Sequence, residues 1–140
     1  MRRLLLSLLL VVAAFSAASI LGCGASSSNA KLLEAHTWRV TKIGDAAYNG
    51  SAAITSRFSA GKVSGSTGVN QYAGTYQAAS GNNIAVTLGP MTLMAGTPDA
   101  MKAEADFVKA LGSATSYAAD DESLTLFDAG GQSVLVYAVQ

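Results

Sequence analysis

The sequence predicts an α+β domain, mainly β: a curved antiparallel sheet or cracked barrel with one packed α-helix. Three observations carry this prediction. Short runs with period-two alternation recur along the chain, as in Ile84-Ala85-Val86-Thr87-Leu88. Gly-, Asn- and Asp-rich turn signals separate them, such as Asn49-Gly50 and Asp128-Ala129-Gly130-Gly131. Only one segment, from Thr97 to Gly112, has helical spacing with matching start and stop residues. Strands, one helix, then strands again, with no internal repeat, is the order of an antiparallel sheet with a helix laid on it.

The chain begins Met1-Arg2-Arg3 and then runs from Leu4 to Leu21 with only Ser7, Ser16 and Ser19 among the apolar residues. Two cationic residues before an apolar run form the n- and h-regions of an export signal. A spanning helix is the competing reading, since about 18 apolar residues cross a bilayer. Ile20-Leu21-Gly22-Cys23 decides between them, because it has the lipobox order of branched apolar, tolerant, small, then cysteine. Residues 1–22 are therefore expected to be a lipoprotein signal peptide, with Cys23 as the lipid attachment site. Cys23 is the only cysteine, so no intramolecular disulfide exists, and acylation accounts for an exported lone thiol. Gly24 follows where an aspartate would favour inner-membrane retention, which points to the outer membrane, facing the periplasm, in a two-membrane host. Gly24-Ala25-Ser26-Ser27-Ser28-Asn29-Ala30 has little apolar surface, so residues 23–31 are expected to be the lipidated Cys and a flexible tether.

Residues 32–140 are expected to form one domain, long enough for a true core. His36 to Ile43 alternates with Trp38 and Val40 on one face, and Ser51 to Phe58 places Ile54 and Phe58 on one parity. Ser59-Ala60-Gly61-Lys62 turns that strand into Val63-Ser64-Gly65-Ser66 as a hairpin. A polar, Gly-rich segment runs to Tyr76, and its glycines fit bends or bulges in curved strands. Ser80-Gly81-Asn82-Asn83 turns into the strand Ile84–Leu88, which Gly89-Pro90 ends. In the helix, Thr97 is the N-cap, Pro98 the first position and Asp99 the acid at the positive dipole end. Met101, Glu104, Phe107, Val108 and Leu111 share its stripe, and Gly112 closes it. Strands Ala114–Ala118, Ser123–Phe127 and Ser133–Val139 finish the chain.

Charge excludes one class of function. The chain has nine basic and nine acidic residues, and Arg2 and Arg3 fall in the leader. The remaining slight acidity gives no field for nucleic acid. Asp120-Asp121-Glu122, the one charge cluster, reads as a solvated turn, because a calcium site needs several oxygens at loop spacing.

Gly65-Ser66-Thr67-Gly68-Val69-Asn70-Gln71-Tyr72-Ala73-Gly74-Thr75-Tyr76 resembles the signature of the META domain, the HslJ-like heat-shock lipoprotein family. Trp38, Phe58, Met91-Thr92-Leu93-Met94-Ala95-Gly96, Glu104-Ala105-Asp106-Phe107 with Leu111, and Leu124-Thr125-Leu126 are similar to its further motifs, in order. The resemblance spans Leu32 to Tyr137. It implies a small β-rich fold with one helix, and roles in envelope stress, drug tolerance or secretion. The family often carries cysteines where this chain has Val69 and Gly96. Losing both together implies that the two positions face each other, since an orphaned thiol is a liability in an oxidising compartment.

No catalytic set is legible. His36 is the only histidine, and no second histidine or thiol joins it, so a zinc site or nucleophilic triad cannot be assembled. The chain is expected to be neither an enzyme nor a cofactor or metal protein. The candidate binding or structural residues are Asn70, Tyr72, Tyr76, Thr92, Met94 and Glu104. Glu104 is a carboxylic acid on an apolar stripe. It is either a functional buried acid or an acceptor for backbone or tyrosine hydroxyl groups. Asn70 either binds a ligand, or bonds the backbone of an irregular loop or tolerates a left-handed conformation. Tyr72, Tyr76, Met91 and Met94 either line an apolar groove or belong to the core. The expected function is a non-enzymatic, monomeric, membrane-anchored envelope lipoprotein. The alternatives are a pilotin- or carrier-like module for a lipid or peptide, or a hydrolase inhibitor acting through Asp45–Ser51.

Overall fold

The structure, a computed structural model, describes residues 25–140; the expected leader and Cys23 lie outside them. Nine antiparallel strands form one ring-like sheet: β1 (Thr37–Ile43), β2 (Ala46–Ala47), β3 (Thr55–Ser59), β4 (Lys62–Ser66), β5 (Gln71–Ala79), β6 (Asn83–Met91), β7 (Ser116–Ala119), β8 (Ser123–Phe127) and β9 (Ser133–Val139). The sheet runs in the order β2-β1-β3-β4-β5-β6-β7-β8-β9, and a further β1–β9 pairing closes it. Closure is uneven. β1 and β9 pair over five positions, whereas β6 and β7 meet only at Asn83 and Ser116. This is the expected cracked barrel, ring-like without being regular.

Two helices accompany the sheet, where the sequence predicts one. The first, α1 (Ala25–Ala35), spans residues 25–31 of the expected tether and the first residues of the expected domain. Its own composition gives little reason for a helix, since three consecutive serines favour turns over helix interiors. Tertiary contacts supply the reason. Leu33 is fully buried, and its carbonyl accepts from Trp38 Nε1 at 2.9 Å. Arg57 donates to the Ala35 carbonyl, the Ala60 amide to Glu34 at 3.1 Å, and Asn29 Nδ2 to Asn82 at 2.8 Å. Burying Leu33 alone contributes about 1.5–3 kcal/mol.

The second helix, α2 (Pro98–Ser113), forms where the capping pattern predicts it. The Thr97 side chain accepts from the Ala100 amide, and Pro98 and Asp99 occupy the first turn. Glu104, Phe107 and Leu111 are its buried residues, whereas Met101 on the same predicted stripe is exposed. Gly112 does not stop the helix, which ends one residue later with the Ala114 amide bonded to the Leu111 carbonyl. Nor does Gly89-Pro90 end β6, which continues to Met91 through a bulge opposite Tyr72–Gly74. A bulge is one of the few places where a sheet admits proline. The Gly-rich segment becomes strand from Gln71 onward.

Backbone proximity explains two signature glycines. A Cβ on Gly65 would lie 2.0 Å from the Thr55 carbonyl oxygen, and one on Gly74 would lie 2.4 Å from that of Thr87. The β3–β4 turn places Ala60 at φ 48° and Gly61 at φ 77°, the paired left-handed conformation of a tight hairpin. Trp38, Phe58, Phe107, Leu111, Leu124, Leu126, Leu135 and Tyr137 fill the ring and leave it with a packed interior.

Candidate functional site

Four of the predicted residues come together at one end of the ring. The turn Thr67–Asn70, the 92–97 loop after β6, and α2 meet there. Asn70 is buried, and its side chain uses its full hydrogen-bonding capacity. Its Oδ1 accepts from Thr92 Oγ1 at 2.9 Å and from the Met94 amide at 2.6 Å. Its Nδ2 donates to the Met94 carbonyl at 3.2 Å and to Glu104, 2.9 Å from Oε2 and 3.2 Å from Oε1. Thr67 also donates its hydroxyl to Glu104 and accepts from the Asn70 amide at 2.8 Å.

Glu104 is therefore an acceptor, but its partners are a threonine and an amide, not the expected backbone or tyrosine groups. Its place in the second turn of α2 aims it at the Thr67–Asn70 turn, out of reach of any buried tyrosine hydroxyl. Asn70 bonds loop backbone, the first of the two structural roles expected of it, and keeps an ordinary negative φ. A burial-compatible bond set fixes it without backbone strain. Thr67 is the partner that sequence reasoning missed: inside the Gly-rich motif it has the look of an ordinary turn residue.

The outcome of this network is a fixed loop. Thr92 and Met94 are both held by Asn70, and Thr92 also exchanges bonds with Gln71: its amide donates to the Gln71 carbonyl at 3.0 Å, and its hydroxyl accepts from the Gln71 amide at 3.0 Å. Leu93, between them, is 92% exposed, and Met94 is 62% exposed. Met94 is thus neither core nor groove lining. Gly96 follows, and a Cβ there would lie 2.8 Å from Val69 Cγ2, so the two positions implied to face each other do so.

Tyr72 and Tyr76 belong to the core, in separate networks. Tyr72 packs edge-on against Phe107, and its hydroxyl lies 2.7 Å from Ser56 Oγ, which donates to the Tyr137 hydroxyl at 3.1 Å. Burial pushes the Tyr72 and Tyr137 phenols up. Tyr76 lies at the α1 end, edge-on to Phe58, and donates to Glu34. Burial first, then the Glu34 carboxyl group beside it, pushes Tyr76 up to about 12.

The remaining sequence candidates have structural roles. His36 packs edge-on against Trp38, with centroids 5.4 Å apart. Asp120 accepts from the Glu122 and Ser123 amides, which hold its carboxyl below the usual range, as a turn cap. Among the described residues, no group of three His, Cys, Asp or Glu side chains could hold a metal. Nor is any described helix long and apolar enough to cross a membrane.

Beside the fixed loop is a surface cleft of about 450 Å³, lined by Tyr48, Ser51, Ala52, Gly68, Thr97 and Asp99, among others. Tyr48 closes one wall by donating to the Ala52 carbonyl at 2.7 Å. Shallower clefts of about 210 and 380 Å³ continue along α2, against Ile43 and Val134.

Comparison with known proteins agrees with this architecture. A DUF4847 family protein from Bacteroides vulgatus ATCC 8482 superimposes with a TM-score of 0.60 at 18% identity, over 77% of this chain and 94% of that one. A protein from Burkholderia xenovorans, solved by NMR, gives 0.64 at 22% identity, over 81% and 87%. At such identities the likeness shows the fold alone. No curated protein matches the chain. Residues 31–140 match the META domain, and the chain belongs to the META domain family.

Proposed function

We propose that this META protein is a non-catalytic, lipid-anchored component of the cell envelope that works by docking, through the barrel end that carries Leu93 and Met94. One observation carries the reading. The buried polar network of Thr67, Asn70 and Glu104 fixes a loop whose apolar tip points into solvent. Burying a carboxyl group and an amide is costly unless every bond is made. A fixed tip lowers the ordering cost of binding a partner.

The carrier reading has less support. The ring interior is occupied by fully buried side chains, so a lipid tail or apolar segment would have only the clefts outside it. The hydrolase-inhibitor reading draws on the same end of the molecule, because Tyr48 to Ser51 border the cleft that Gly68 and Thr97 also line. The lipid anchor rests on the Arg2-Arg3 leader and on Ile20-Leu21-Gly22-Cys23. The family resemblance suggests envelope stress or drug tolerance as the setting.

A photo-crosslinking residue at position 93 of the native lipoprotein, read by mass spectrometry, tests the docking surface. Adducts to one protein that vanish with Asn70→Ala are expected; adducts equal to those from an exposed site such as Lys109 would refute it. Mass spectrometry of the N-terminal peptide tests the anchor, since a mature chain that does not start at an acylated Cys23 contradicts it. Failure of the intact protein to inhibit lysozymes and proteases would remove the inhibitor alternative.

A further inference from the structure

We infer that the occupant of this docking surface is a second copy of the same chain, with Leu93 and Met94 of each copy seated in the Tyr48–Asp99 cleft of the other. The inference rests on the docking reading and names its partner.

A two-fold pair needs one patch that carries both a projection and its receptacle, because the same surface serves both subunits. This end of the barrel has both. The tip is Leu93 and Met94, the largest strongly exposed apolar side chains among the described residues. The cleft begins at Thr97, three residues beyond Met94, and continues over Ala100 and Gly68 to the 48–52 loop. Between Met94 and Thr97 the chain passes Gly96, which lies against Val69 and Ala100.

Charge favours a like partner. No Asp, Glu, Lys, Arg or His occurs between Lys62 and Asp99, so the 66–71 turn and the 90–98 loop are uncharged. The 48–52 loop is uncharged as well. Of the cleft-lining residues only Asp99 is charged, and it sits in the first turn of α2, where the helix dipole favours an acid. Asp99 apart, two such ends meet without opposing charged side chains, in keeping with the centre of an interface.

A bilayer is the other apolar surface available to an exposed leucine, and the observations favour it less. Membrane-seated loops use Trp and Tyr with Lys or Arg at the headgroups, and neither the 66–71 turn nor the 90–98 loop holds a Trp or a cation. A fluid bilayer also gains little from a tip held by three hydrogen bonds to Asn70, whereas a shaped cleft rewards fixed geometry.

The test is sedimentation of the full chain in a mild detergent that disperses its apolar leader, with Cys23→Ala to remove the thiol. The protein is expected to sediment as a dimer, and Leu93→Asp to raise the dissociation constant at least roughly tenfold. Because Leu93 is almost fully exposed, its circular dichroism and melting temperature are expected to stay unchanged. In the same background, mixing a Leu93→Cys chain with an Ala52→Cys chain is expected to give a disulfide-linked heterodimer under mild oxidation. A monomeric chain, or a dimer untouched by Leu93→Asp, overturns the inference. If position-93 adducts still form on a different protein in those cases, the docking reading survives without self-association. If the chain is monomeric in detergent yet floats with neutral phosphatidylcholine vesicles in a Leu93-dependent manner, a bilayer is the occupant instead.

Discussion

Asn70 donates through Nδ2 to both carboxyl oxygens of Glu104, and with its Oδ1 it holds Thr92 and Met94 on either side of Leu93. One buried amide thus joins α2 to a loop whose own side chains contribute almost nothing to the core. Asn70→Ala is expected to cost about 2–4 kcal/mol, because it leaves Glu104 with one donor and the Met94 amide with none. Urea unfolding measures it. Leu93→Ser, by contrast, is expected to stay within about 0.5 kcal/mol of the parent. An Asn70→Ala loss below 1 kcal/mol would contradict the clamp.

The Val69–Gly96 contact makes a second prediction. Gly96→Ala places a methyl group 2.8 Å from Val69 Cγ2 and is expected to destabilise by about 1–2 kcal/mol. Val69→Ala should relieve most of that loss, a coupling visible in a double-mutant cycle. The pair Val69→Cys and Gly96→Cys, with Cys23→Ala, is expected to form a disulfide and add about 2–4 kcal/mol. Persistence of two free thiols after oxidation would show that the positions are mis-set.

Alkaline pH offers a third check, since all five tyrosine phenols are held above their ordinary value. For Tyr76 the folded value is about 12 against an ordinary 10.0. Below pH 10 both folded and unfolded chains keep the proton, and its contribution to stability is complete. As pH rises from 10 toward 12 the unfolded chain ionises first, so stability falls. Absorbance at 295 nm should therefore show fewer than half of the phenols ionised at pH 10, followed by a cooperative rise that coincides with unfolding. Half-titration at pH 10 in a protein still folded by far-UV circular dichroism would contradict this.

Helix α1 is testable through the single tryptophan. Leu33 is fully buried and its carbonyl accepts the Trp38 indole proton. Leu33→Ala is expected to cost about 2–5 kcal/mol and to shift Trp38 emission to the red. Glu34→Gln keeps a hydrogen-bond acceptor for Tyr76 and should leave the emission maximum in place. An unchanged spectrum in Leu33→Ala would mean that α1 does not cover this end of the core.

How far the sequence discloses the molecule depends on whether a residue's role is local. Alternation gives β8 and β9 to the residue, and Thr97-Pro98-Asp99 gives the start of α2, because those signals act within a few positions. Helix α1 is illegible for the opposite reason. Nothing in Ser26-Ser27-Ser28 favours a helix, and its stabilising contacts, from Trp38, Arg57, Ala60 and Asn82, arrive from distant strands. Pro90 inside β6 misleads likewise, since a bulge set by the β5 register accommodates it. Within the site, Asn70 and Glu104 stand out as polar residues in apolar company. Leu93 gives no sign, because an apolar residue is expected inside until three dimensions show it outside.

The ring's narrowest seam has a consequence for how this fold tolerates change. In a regular barrel, strand number and stagger together fix the radius, so the interior volume is set by the hydrogen-bond ladder. Here one residue pair, Asn83 with Ser116, is all that joins β6 to β7, and α2 spans the chain between those strands. Circumference is thereby uncoupled from register: the mouth at that seam can widen or narrow by a helix shift without breaking more than one rung. Substitutions that enlarge Phe107 or Leu111 should be absorbed by α2 moving outward, whereas equal enlargements at Val40 or Leu135, under the five-position β1–β9 ladder, meet a wall that does not give.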